Sequence, residues 1–194
     1  MAQTSTTLIA TKAHITSITG TDISFTATAG VYTIKSTSTV LTGSGKLAVG
    51  DLITVTGTSS NNSTFTVSTV VSTLEITVAE VVTTETAGSS FTLDHVGFVS
   101  DKAKGDGYYS QPDGVHTVAY QVANDFNANA TIKMQGTLAT TPTEDDWFDI
   151  ANTTFTSDTS TLTSSYNFTG NYVWVRSKTQ LLTAGTVNSI LLNS

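Results

Sequence analysis

Short runs in which apolar and polar residues alternate, punctuated by glycine and asparagine, are the feature that most limits what this chain can become. The stretch 50–80, GDLITVTGTSSNNSTFTVSTVVSTLEITVAE, carries three of them in succession. Successive side chains of a strand point to opposite faces, so a period of two gathers the apolar residues on one side. Ile53 with Val55, Phe65 with Val67, and Ile76 with Val78 each share a face, with threonines between them turned outward. Gly57 admits positive φ without steric cost, and the pair Asn61-Asn62 tolerates left-handed geometry. The reading is strand, loop, strand, short turn, strand.

The same pattern extends through the chain. Strands are expected at Leu8–Ile18, Asp22–Ala27, Val31–Lys35, Ser38–Leu41, Leu52–Thr56, Thr64–Val71, Leu74–Ala79 and Ser89–Leu93. Turn signals at Gly20, Ala29-Gly30, Gly43-Ser44-Gly45, Gly57 to Ser63 and Ala87-Gly88 separate them. A charged, glycine-rich stretch from Asp94 to Gly114 then changes the texture and places a domain boundary near 94–97. Beyond it, strands are expected at Val115–Val122, Ala130–Gln135, around Trp147 to Ile150, and at Tyr166–Phe168, Tyr172–Arg176 and Val187–Leu192. Helix is limited to one turn near Thr143–Asp146, after Pro142. The expected architecture is all-β: a small barrel-like domain over 1–94 and a β-sandwich, jelly-roll-like, over 95–194.

Composition supports strands and removes several function classes. Threonine is the commonest of the 194 residues, and charged residues are only 12%, about half the usual share. β-Branched side chains suit a pleated surface, whereas no periodic run of Leu, Ala, Glu and Lys marks a long helix. Net charge is −7, with 8 Lys and Arg in all and a single arginine, Arg176. A nucleic-acid surface gains affinity by neutralising phosphates, so direct nucleic-acid binding is not expected, and polybasic membrane attachment fails for the same reason. No run of about 18 apolar residues suggests a spanning helix. The opening MAQTSTTLIATKAHI does not read as a signal peptide, since Lys12 follows a broken apolar patch. Cysteine is absent, which excludes disulfides and thiolate metal sites.

The motifs that carry chemistry are sparse. His14, His95 and His116 have no second ligand at metal-binding spacing and read as surface or structural residues. The scatter of histidines and the lack of a G-x-S-x-G elbow weigh against nucleophilic catalysis. Gly43-Ser44-Gly45-Lys46 resembles a phosphate loop only faintly: Val40 replaces the first glycine and Leu47 the Ser or Thr that meets Mg²⁺. Glu144-Asp145-Asp146 with Asp149 is either a hard-cation site or a solvated turn at the start of a helical turn. Asp101, Asp106 and Asp113 form a looser acidic group. Trp147 and Trp174 fall within apolar runs and are read as core. Tyr108 and Tyr109 lie in a loop and, with Asp106 and Asp113, are the candidate residues for contact with a partner, a glycan among them. Asn-x-Ser/Thr triplets at Asn129 and Asn167 matter only in a eukaryotic secretory setting. No catalytic residue, cofactor or metal site is expected.

The segment 50–93, GDLITVTGTSSNNSTFTVSTVVSTLEITVAEVVTTETAGSSFTL, resembles a small β module that recurs in structural proteins of tailed bacteriophages. The shared pattern is Gly-Asp before a strand, a G-T/S-x-x-N-N/D loop, F-T-V, I-T-V-x-E and a closing A-G. The segments 130–150 and 168–193 are similar to another virion-associated β domain, seen in phages including marine ones. The resemblance implies a non-enzymatic virion protein, made in the host bacterial cytoplasm and assembled by protein–protein adhesion. Capsid decoration is the leading place, with tail, neck or baseplate, or a receptor- or glycan-binding tip, as alternatives. Its implied partners are other virion proteins and further copies of itself, often as trimers. Residues 2–13, polar and β-prone, are expected to serve as an arm that pairs with a neighbour.

Overall fold

In the computed structural model, the residues described are 5–88, 90–109, 114–157 and 162–193. The protein is all-β. Its strands are β1 (Ser5–Ile9), β2 (Lys12–Ala13), β3 (Ile18–Gly20), β4 (Ile23–Thr28), β5 (Val31–Ser36), β6 (Asp51–Thr56), β7 (Thr64–Ser72), β8 (Glu75–Val78), β9 (Phe91–Val99), β10 (Ala103–Lys104), β11 (Val115–Val122), β12 (Thr131–Thr137), β13 (Phe148–Asp149), β14 (Phe155–Thr156), β15 (Thr163–Thr169), β16 (Trp174–Gln180) and β17 (Thr186–Asn193). Helix is confined to two 3-10 turns, Asp106–Tyr109 and Glu144–Asp146.

Two compact units are formed, one of Ile15–Phe98 and the other of residues 5–14 with 99–193. This differs from a division in chain order at 94/95, for a structural reason. β1 pairs with β17 (Thr6 opposite Leu192) and β2 pairs with β17 (Lys12 opposite Val187), so residues 5–13 complete a sheet of their own chain. They are not a free arm.

In the unit 15–98 the sheet runs β9-β6-β7-β8-β5-β4, with β3 added on β9. The terminal strands β3 and β4 do not pair with each other, so the expected barrel does not close. The core follows the period of two: Phe25, Ile34, Ile53, Val55, Phe65, Val67, Ile76, Val78 and Leu93 are buried together. Loops are tied down by carboxylates. Asp22 accepts hydrogen bonds from the backbone N–H of Thr37, Ser38 and Thr39 and from the hydroxyls of Ser36, Thr37, Ser38 and Thr39. This explains why Ser38–Leu41, expected as a strand, is irregular: the N–H groups of Ser38 and Thr39 are committed to one carboxylate, and that of Leu41 goes to the Thr73 carbonyl. Hydrogen bonds from the Ser36 hydroxyl first, then Thr39 and Ser38, hold the Asp22 carboxyl far below the usual range against a smaller opposing effect of desolvation.

Glu85 does the same for the loop after β6. Its oxygens accept from Ser59 N, Ser60 N and Asn61 Nδ2, and buried Asn61 exchanges hydrogen bonds with the Thr83 backbone. Gly57 is required there: φ is +86°, and a Cβ would meet the Ser90 carbonyl oxygen at 2.2 Å.

In the other unit, one sheet runs β1-β17-β11-β15 with β2 on β17. A second group pairs β13, β12 and β16, with β14 on β12 and β10 on β16. Val118, Tyr120 and Val122 of β11 are buried, as are Val187, Ile190 and Leu192 of β17 and Ile132 and Met134 of β12. The Tyr120 hydroxyl, whose pKa burial pushes up, donates to the Thr153 carbonyl at 2.9 Å, so the largest core side chain has its polar tip satisfied.

A depressed carboxylate stabilises the fold fully above its unfolded pKa of about 3.9, and loses that contribution as pH falls toward the folded value. Asp22→Asn is therefore expected to lower the melting temperature at pH 7. The gap from the wild type should narrow steadily below about pH 4, read by circular dichroism melts across a pH series.

Candidate functional site

β16 has two unlike faces. Val175, Ser177 and Thr179 are buried on one, while Trp174, Arg176 and Lys178 occupy the other. Antiparallel register places β12 beside it with Lys133 opposite Lys178, Gln135 opposite Arg176 and Thr137 opposite Trp174. On the other side, Lys104 of β10 stands opposite Trp174. Together with Lys102, which lies 4.5 Å over the Trp174 ring, five of the chain's 8 basic residues therefore gather around one sheet face, although they are scattered over 102–178 in sequence.

Most of these cations are held in place. Arg176 donates from Nη1 and Nη2 to the two carboxylate oxygens of Glu144 at 2.8 and 2.7 Å, and from Nε to Gln135 Oε1 at 3.0 Å. Its guanidinium lies 4.2 Å over the Trp147 ring. Gln135 Nε2 and Lys133 Nζ both donate to Asp149, at 2.9 and 2.5 Å. For Asp149, burial works against ionisation, but the bonds from Lys133 and Gln135 outweigh it and lower the pKa. Lys133, Asp149, Gln135, Arg176 and Glu144 thus form one continuous network.

Lys178 stands beside that network outside it. It is half-buried, and no hydrogen bond or ion pair to it is found among the described residues. Its pKa is lowered by burial first, then by the charges of Arg176 and Lys133, with Glu144 and Asp149 acting in the opposite sense.

At the edge of the face, the loop after β10 lies flat on residues 171–173. Gly105 N donates to the Val173 carbonyl and Gly107 N to that of Tyr172; a Cβ on Gly105 would sit 2.4 Å from the Tyr172 oxygen. Only glycine permits so close an approach. The loop's 3-10 turn carries Tyr108, 43% exposed, and Tyr109, 56% exposed. Tyr108 packs on Trp174 at 4.8 Å between centroids and lies beneath Lys104 Nζ at 4.2 Å. Both candidate tyrosines are thus at the surface beside the cationic face.

Asp106 behaves differently from its neighbours. It accepts from Gly114 N at 2.5 Å and faces Nε2 of buried His116 at 3.4 Å, so it fastens the loop from within. Asp113 lies outside the described residues. His116 stacks on Phe168, and His95 is buried against Asp51 with its Nδ1 accepting from Ile15 N, which are structural roles.

The acidic run is divided among separate partners: Glu144 to Arg176, Asp146 to the backbone and hydroxyl of Thr143, and Asp149 to Lys133 and Gln135. No group of three or more His, Asp or Glu side chains suited to a metal ion occurs among the described residues. Trp147 and Trp174, expected in the core, are half-buried on the polar face. The reason is visible in the alternation W-x-R-x-K of 174–178, which places Trp174 with cations and turns Val175 inward. A separate cleft of ≈ 290 Å³ is lined by Ile150, Asn152, Asn167, Phe168 and Tyr172 among others, without a charged side chain.

No family model matches the chain, and no curated protein matches its sequence.

Removing one member of a buried ion pair strands its partner, at a cost of about 3–5 kcal/mol. Glu144 keeps 29% of its side chain in contact with solvent, which screens part of that cost. Arg176→Leu is therefore expected to destabilise the protein by about 2–3 kcal/mol in urea unfolding, with a change in Trp147 fluorescence.

Proposed function

We propose that this chain is a non-enzymatic structural component of a tailed-phage virion, acting by protein–protein adhesion. Capsid decoration is its leading place, with tail, neck or baseplate as the neighbouring possibilities. In this reading the unit 15–98 is an open, barrel-like docking module and the other unit a β-sandwich. Several copies assemble around a symmetry axis of the particle.

One observation carries the reading. The second half of β7, Ser68–Ser72, is exposed along its length, with Val70 at 43% and Val71 at 56%. β6 pairs with Thr64–Thr66, so among the described residues, 68–71 have β8 as their single ladder neighbour. Free edges invite further pairing, and isolated soluble proteins blunt them with lysine, proline or bulges. Register shifts are present here, but no charge and no proline is. An uncharged Ser/Thr/Val edge costs little to dehydrate and leaves backbone donors and acceptors for a neighbouring chain. That is the chemistry of a surface meant to be covered in an assembly, and it agrees with the phage resemblance of 50–93.

The test is incorporation. Particles assembled with the wild-type chain should retain it through density-gradient purification. Val70→Lys with Val71→Lys should abolish retention while leaving the melting temperature of the free protein within a few degrees. Retention of the double variant at wild-type levels would remove this edge as the docking surface, and absence of the wild-type chain from purified particles would remove the virion reading.

A further inference from the structure

The sheet β1-β17-β11-β15 ends on β15, and the hydrogen-bond pattern shows which main-chain groups of that strand face outward. Directly opposed residues of an antiparallel ladder alternate between pairs that exchange main-chain bonds and pairs that exchange none. Val122 N donates to the carbonyl of Leu162, which the register of β11 and β15 places directly opposite it. The bonded pairs are therefore Tyr120 with Ser164, Val118 with Tyr166 and His116 with Phe168. The N–H and C=O groups of Thr163, Ser165, Asn167 and Thr169 turn the other way, off the sheet. Among the described residues, the one bond found to those groups runs from the Tyr172 hydroxyl to the Thr169 carbonyl at 3.3 Å. Other sheet ends are closed or broken. Glu85 exchanges main-chain bonds with Phe25 of β4, and β1 carries a register shift between Thr7 and Ile9. β15 has neither device: its 7 residues run in unbroken register, without a charge or a proline. The cleft lined by Asn167, Phe168 and Thr169 leaves open space beside its end. Such an edge is a template for one more strand.

We propose that a second copy of the chain supplies that strand, β15 against β15, antiparallel about a two-fold axis at Tyr166. Two observations select this occupant. First, the edge is its own complement. The axis sets Ser165 opposite Asn167 of the second copy and Thr163 opposite Thr169 of the second copy, so each outward group of one strand meets an outward group of the other. Second, each copy carries a net charge of −7, and copies repel wherever their acids face each other. β15 has no charged side chain, and neither do the outward positions beside it, Thr117, Ala119 and Gln121 on β11 and Leu191 on β17. Two copies can therefore approach along this edge without opposing like charges. The sheet of one copy then continues into that of the other, and because β15 can pair in this way only once, association stops at the dimer. The inference concerns the free chain in solution and does not rest on the virion reading.

The oligomeric state of the full chain is measured by sedimentation velocity over a concentration series, and a reversible monomer–dimer equilibrium is expected. Ser165→Pro removes an N–H that faces the open edge and not β11, the one side of a sheet on which proline is tolerated. The two-fold axis deletes that donor twice, so dimerisation should weaken by about ten-fold or more. Should Ser165→Pro lower the melting temperature, Ser165→Lys is the second variant: it keeps the backbone intact, sets like charges near the axis, and should also weaken the dimer. Val70→Lys with Val71→Lys, on the edge of the other unit, should leave dimerisation unchanged. A chain that stays monomeric at every concentration overturns the proposal and leaves the edge to a strand of another protein. It is equally overturned by a dimer that neither Ser165 variant weakens, or by one that the Val70 and Val71 substitutions dissociate.

Discussion

The carboxylate that accepts backbone N–H groups is the interaction on which this structure turns. A chain built from short strands is mostly turns by necessity, and every turn exposes donors that need acceptors. Within the unit 15–98, Asp22, Asp51, Glu80 and Glu85 each accept from the main chain. The other two acids of that unit are also engaged, Glu75 with Lys35 and Asp94 with the Ser17 hydroxyl. Asp106 and Asp146 repeat the device in the other unit. Acids are thus fasteners before they are surface charges. Their scarcity is consistent with this use: each binds one loop to one strand end, and serine and threonine hydroxyls supply the remaining donors.

That constraint also accounts for which parts of the fold were legible. β11 was legible to the residue, because Val118, Tyr120 and Val122 alternate with polar neighbours and nothing local competes. The 3-10 turn at Glu144–Asp146 was legible from Pro142 and the acids that follow, whereas the second one, Asp106–Tyr109, was read only as loop. Ser38–Leu41 was misread because Ser38 and Thr39 spend their donors on Asp22, which lies 16 residues before Ser38. Closure of a barrel was misread because spacing sets the number of strands and says nothing of whether the first meets the last.

The site was legible only in fragments. Tyr108 and Tyr109 were visible as loop aromatics, and their exposure agrees with that. The cationic face was invisible to composition, since a chain of net charge −7 gives no sign that five cations converge from three strands and a loop. The local signal lay in the alternation of 174–178, where one parity reads Trp, Arg, Lys and the other Val, Ser. Reading Trp174 by its apolar neighbours, and not by its own parity, hid it.

The route of the chain has a consequence for how the molecule is made. The backbone leaves one unit after His14, completes the whole of 15–98, and returns at Val99. Ile15 N bonds His95 within the inserted unit, and β3 pairs with β9, so departure and return points are held side by side. The inserted unit can therefore mature on the ribosome while Ser5–Ile9 waits for β17, the last of the described strands. By folding first it shortens the effective loop that β1 and β17 must close, and so lowers the entropic barrier to finishing the host sheet.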